Sequence, residues 1–132
     1  MRNQNLQKKT PINFPNRPLT NLNLVKFAKI MKIPYFRGVY MRNSLPANGP
    51  KFNEAAIVNL DDKTGPGTHW VAYRKNGKNV VYFDSFGNLK PPKELLNYLD
   101  VATIEYNYET FQKYDTFICG HLCLKFLAGQ LI

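Results

Sequence analysis

A single α+β domain on a mostly antiparallel sheet of four or five strands is the fold class this sequence predicts. Three observations predict it. Strand-like segments follow one another between residues 55 and 84 and include Asn76-Gly77, a tight-hairpin signal. A helix, a strand and a second helix then follow in that order. The chain has 132 residues, enough for one real core and not for two.

Residues 1–18 form an Asn-rich, basic and loosely ordered segment, because Pro11, Pro15 and Pro18 oppose helix. The domain itself is expected over 19–132. Thr20 or Asn21 can cap a helix running to about Lys32, with Leu22, Val25, Ala28 and Met31 or their neighbours on its buried side. Pro34 ends it. Residues 35–53 read as a loop with at most a short strand. AAIVNL (55–60) is a continuous apolar run, as a buried strand requires. THWVAYR (68–74) and NVVYFD (79–84) flank the hairpin turn, and SFGNLKPP follows as a loop. PKELLNYL (92–99) is a short helix with Pro92 near its first turn. TIEYNYE (103–109) is a further strand and 111–118 a connector. CGHLCLKFLAGQL (119–131) has helical apolar spacing through Leu122, Cys123, Phe126 and Leu127. This helix is expected to pack into the centre of the sheet.

Apolar residues make up 44% of the chain and aromatics 14%, a globular and not a disordered composition. No apolar run approaches the roughly 18 residues of a membrane span, and residues 1–18 carry no apolar signal core. The two cysteines, Cys119 and Cys123, are four apart on one helix. That spacing does not favour a disulfide and reads as a reducing, intracellular setting. Charge is lopsided: net +9, with ten Lys or Arg and no acid before Glu54. A one-signed segment attracts polyanions, and Arg2, Lys8, Lys9, Lys26, Lys29 and Lys32 are the candidate contacts to nucleic acid. The competing reading is a solvated basic face, since no nucleic-acid recognition motif accompanies the charge.

GTHWVAY (67–73), VYFDSFG (81–87) and FQKYDTFICGHLC (111–123) carry the chemistry. A thiol hydrolase needs a sulfur nucleophile, a base, a group to orient that base, and donors for the oxyanion. Cys119, His69, Asp84 and Gln112 can fill those roles one each. Cys119 at the start of a helix meets free N–H groups and the positive dipole end, and both favour thiolate. His121 follows the nucleophile at i+2 and does not face it, so His69 is the preferred base. Cys123 reads as core. Cys119, His121 and Cys123 do not converge on one tetrahedral ion, and no metal is expected.

At these residues the chain resembles the adenovirus-type cysteine proteases, whose clan also holds the proteases of ubiquitin-like modifiers. PYFRG (34–38), AIVNL (56–60) leading to His69-Trp70, FDSFG (83–87) and Cys119-Gly120-x-x-Cys123 all match family segments. The resemblance spans roughly residues 20–130. It implies a papain-like, adenain-like core with Cys119 as nucleophile, His69 as general base and acid, and Asp84 orienting the imidazole. It further implies an oxyanion hole from Gln112 and the Cys119 N–H, with Trp70 and Gly120 against the substrate. Asp84 stands where the adenovirus enzymes carry Glu. The implied activity is cleavage of viral or virus-like structural precursors near glycines by a monomer, in a host nucleus or virion. The chemistry itself needs no cofactor, and the resemblance implies activation by DNA, a peptide or both. Two alternatives stay open: a protease of ubiquitin-like modifiers, and a non-enzymatic basic DNA-binding protein with a retained protease fold.

Overall fold

The computed structural model describes residues 13–61, 64–65, 69–87, 89–101, 103–111 and 117–131. The hairpin forms at the Asn76-Gly77 signal, with its loop one residue further on, since Asn76 pairs with Asn79. Its two loop residues are Gly77 and Lys78, and Gly77 takes φ +62°, which glycine adopts without strain at the first position of such a loop. The flanking strands are β3 (Trp70–Asn76) and β4 (Asn79–Phe83), paired from Asn76↔Asn79 to Ala72↔Phe83. With β1 (Phe36–Met41), β2 (Asn53–Asn59) and β5 (Ile104–Tyr106) they form one five-stranded sheet in sequence order. The two central ladders are antiparallel, as expected. Both outer pairings, β1 with β2 and β4 with β5, are parallel.

Three helices cover the sheet: α1 (Asn21–Ile30), α2 (Lys93–Leu99) and α3 (Cys119–Leu127). Strand alternation separates two cores. Ile57, Ala72 and Phe83 face α1 and α3, whereas Val58, Val71, Tyr73, Val80 and Tyr82 face α2 through Leu95 and Leu99. Helix α3 lies against the central strand β3, so Cys119 at its start sits over the middle of the sheet. Among the described residues no helix is long and apolar enough to cross a membrane.

Three expectations are corrected or narrowed. The segment 35–53 holds a six-residue strand, β1, because Arg37 on it is tied to β2 through Glu54. Helix α1 starts at its Thr20 capping box but buries Leu24, Phe27 and Ala28, leaving Leu22 and Val25 exposed. Its phase is set by what it docks on. Leu24 meets the Gly120 face of α3, and Phe14 packs edge-on against Phe27 at 5.1 Å. The last strand is shorter than 103–109 and ends at Tyr106.

On the α2 side, Glu54 is fully buried yet fully bonded. It accepts hydrogen bonds from Arg37 (3.0 Å), Lys51 N–H (2.9 Å), Tyr73 Oη (2.5 Å) and Tyr98 Oη (2.7 Å). Arg37 also donates to Gly49 O and Asn48 Oδ1. One buried ion pair thus joins β1, β2, β3, α2 and the 48–51 loop.

Candidate active site

His69 immediately precedes β3, and Asp84 immediately follows β4. The hairpin therefore delivers both to one end of the sheet. His69 Nε2 lies 2.8 Å from Asp84 Oδ1, and both side chains are buried. That bond leaves the other ring nitrogen, Nδ1, and the Cys119 thiol lies near enough to help raise the imidazole. Cys119 is the first residue of α3. Trp70 N–H points at its sulfur from 3.5 Å, and Gly120 N–H is a further donor to it. The N-cap, Ile118, offers no side chain to the helix N–H groups, so the first turn of α3 keeps its donors for the sulfur and its surroundings.

The electrostatics follow from these contacts. Burial pushes the Cys119 thiol up, but His69, the Trp70 and Gly120 N–H groups and the imidazole charge outweigh it, and the thiol lies below its ordinary value. Burial pulls His69 down, yet Asp84 and Cys119 together hold it up at about 9. Both shifts run toward a thiolate–imidazolium pair. Cys123, one turn on and fully buried, is pushed the other way by desolvation and by its neighbours Cys119 and Asp84. It is a core thiol.

Trp70 is half-buried, with its indole N–H donating to Leu19 O at 3.1 Å. Gly120 admits close packing: a Cβ there would lie 3.2–3.4 Å from Leu24, Trp70 and Leu19. A cavity of about 620 Å³ opens beside Trp70, lined also by Leu19, Thr20, Met41 and Ser44. His121 turns away from the nucleophile, and its Nε2 lies 3.0 Å from Pro15 O. Gln112, Arg2, Lys8 and Lys9 lie outside the described residues. Lys26, Lys29 and Lys32 are exposed on and just after α1.

Two residues at the site carry no role in the sequence reading. Asn107 accepts from Asp84 N–H at 2.9 Å and donates to Asp84 O at 2.7 Å, clamping that residue's backbone on both sides. Its signal is an asparagine just past a strand end, a position where such side chains bind backbone. Phe86 stacks on the His69 ring with centroids 4.2 Å apart. Gly87 makes the intervening turn at φ +83°, where a Cβ would meet Glu109 O at 2.5 Å.

No protein-family profile and no curated protein sequence matches the chain. Several solved chains match it in fold, among them two crystal structures of one protease. One is ASFV pS273R protease, with a TM-score of 0.54 and 18% identity over 88% of this chain and 58% of that one. The other is the selenomethionine form of the same protease, again at TM-score 0.54 and 18% identity, covering 88% of this chain and 59% of that one. This chain spans little more than half the length of that protease. At such identity the likeness bears on architecture, and this small α+β domain shares the fold of ASFV pS273R protease.

Proposed function

We propose that this chain is a cysteine endopeptidase acting through Cys119, His69 and Asp84. The observation that carries the reading is the ordered contact from Asp84 to His69 to Cys119 at the start of α3. The Cys119 thiolate attacks the scissile carbonyl. The oxyanion is met by the Cys119 N–H and, from the resemblance, by Gln112. The His69 imidazolium gives its Nδ1 proton to the leaving amine, and a thioester forms. Neutral His69 then takes a proton from water, which hydrolyses the thioester and restores the thiol pair. Asp84 accepts from Nε2–H throughout and holds the ring in place. The cavity beside Trp70 is open enough for an extended peptide, and the resemblance points to glycine next to the cut in viral structural precursors. The test is turnover of glycine-containing peptides against fusions of ubiquitin-like modifiers. Labelling of Cys119 by a thiol-reactive substrate mimic, with cleavage of peptides, supports the reading. Turnover of modifier fusions alone replaces it with the modifier-protease reading.

The pH profile of kcat/KM is expected to be bell-shaped. Activity rises as Cys119 ionises through its depressed value. It needs the imidazolium, so it is present below the His69 value and lost as pH rises through about 9. Asp84→Asn removes a group that holds His69 up, so the alkaline limb should move down from about 9. Cleavage measured from pH 5 to 10 checks it, and an unmoved limb would remove Asp84 from its orienting role.

DNA binding without sequence preference belongs to the same proposal. Its support is the acid-free basic stretch before Glu54, with Lys26, Lys29 and Lys32 exposed. Affinity should fall steeply with salt, because phosphate contacts release counterions. Reversing these three lysines to Glu should weaken binding to every sequence alike and leave DNA-free peptide cleavage intact. Binding titrations at several salt concentrations decide it, and salt-independent affinity would reduce the charge to a solvated face.

A further inference from the structure

We infer that Phe86 is a positioning residue that holds His69 in its charged, Asp84-bound form by stacking its ring on the imidazole, a role that rests on the peptidase reading of the site. Four observations carry it. The two rings are nearly parallel, 5° apart, at a centroid separation of 4.2 Å. The face of a benzene ring is negative and attracts a cation lying over it, more so where water is excluded. Phe86 N–H donates at 3.0 Å to Asp84 Oδ1, the same oxygen that meets His69 Nε2. The Phe86 backbone is fixed in turn: Thr110 Oγ1 donates to Phe86 O at 2.9 Å, and Phe111 N–H donates to Ser85 O at 2.7 Å.

A phenylalanine that only filled space would sit among apolar side chains. Among the described residues Phe86 joins neither apolar core and is half-buried, with its ring laid on a titratable group. Among the described residues the charged and titratable groups acting on His69 are Asp84 from the end of β4 and Cys119 from the start of α3. Phe86 covers a ring face that neither of them occupies. Its contribution therefore adds to theirs and favours the imidazolium.

The test is the NMR titration of His69 in the intact chain, which has only two histidines to resolve. Phe86→Leu keeps an apolar side chain and removes the ring. The His69 midpoint should fall by about 0.5–1 unit, the size of one such cation–ring contact. Phe86→Tyr and Phe86→Trp keep a ring and should hold the midpoint near its wild-type position. The alkaline limb of Cys119 alkylation by iodoacetate, whose carboxylate is drawn by the imidazolium, is a readout independent of peptide cleavage and should fall with it in Phe86→Leu alone. An unchanged midpoint in Phe86→Leu overturns the inference. So does an equal fall in Phe86→Tyr and Phe86→Trp, which also decide the matter if Phe86→Leu does not fold. If the wild type cleaves no peptide while the midpoint still moves, the peptidase reading fails and the ring's effect on His69 stands.

Discussion

Cys119→Ala should remove peptide cleavage almost completely, by about 10⁴–10⁶-fold, without unfolding the chain. His69 and the Trp70 and Gly120 N–H groups all lower the Cys119 thiol, and no other described thiol can replace it. Cys123 is fully buried one turn away, with its thiol pushed up. His69→Ala should lose nearly as much, because without the imidazole the thiolate has no counter-charge and the leaving amine no proton. The double variant should be scarcely worse than either single one, since groups acting as a unit do not add. Asp84→Asn should cost less than both, because Asp84 orients the base and does not react. Single-turnover cleavage and thermal unfolding of all four proteins make the comparison. Cleavage at the normal rate by folded Cys119→Ala ends the peptidase reading.

The site is legible in the sequence to the extent that its geometry is local. A two-residue hairpin loop sets the β3–β4 register, and that register brings His69 and Asp84 to one end of the sheet. A helix beginning at Cys119 follows from the apolar spacing of 119–131. Phe86 follows only from the observed register: continuing three residues beyond Ala72↔Phe83 sets Phe86 opposite His69, whereas a two-residue Asn76-Gly77 loop would have set Asp84 there. What hid it is the Gly87 turn, whose tightness depends on the distant backbone of Glu109. Asn107 was hidden because TIEYNYE reads as one strand, and only the end of pairing at Tyr106 frees its side chain for Asp84.

The errors lie where contacts are distant in sequence. Ala28 and Met31 fit either phase of α1, and the choice between Leu22 with Val25 and Leu24 with Phe27 is made by Gly120 and Phe14, far along the chain in one case. Strand β1 is half-exposed throughout and shows no apolar alternation, so nothing local marks it. Its parallel partner lies beyond an eleven-residue loop, and its hold on the sheet includes an ion pair to Glu54 that no period reveals.

Glu54→Ala should destabilise the fold by about 3–5 kcal/mol, the usual cost of removing one member of a buried ion pair. That is a large part of the roughly 5–15 kcal/mol that holds a domain together. The loss strands more than a charge. Arg37, 12% exposed at its side chain, keeps only the neutral partners Gly49 O, Asn48 Oδ1 and Tyr98 Oη, while Tyr73 Oη and Lys51 N–H lose the carboxylate they share. Tyr98→Phe removes a hydroxyl from the same network and should cost only about 1 kcal/mol. Exchanging Arg37 and Glu54 together for Met and Leu should cost less than the two single changes added, since neither charge is then left alone. Burial pushes the Glu54 carboxyl up, but its backbone, tyrosine and arginine donors hold it below its ordinary value of 4.5. Its contribution is therefore complete above that value and is lost as pH falls through the lower folded one. Denaturant unfolding at pH 7 and in acid measures both effects. Peptide cleavage per folded molecule should change little, because the network lies on the α2 side of the sheet and Cys119 on the other. A loss below about 1 kcal/mol for Glu54→Ala would mean that the sheet and α2 hold β1 in place without the ion pair.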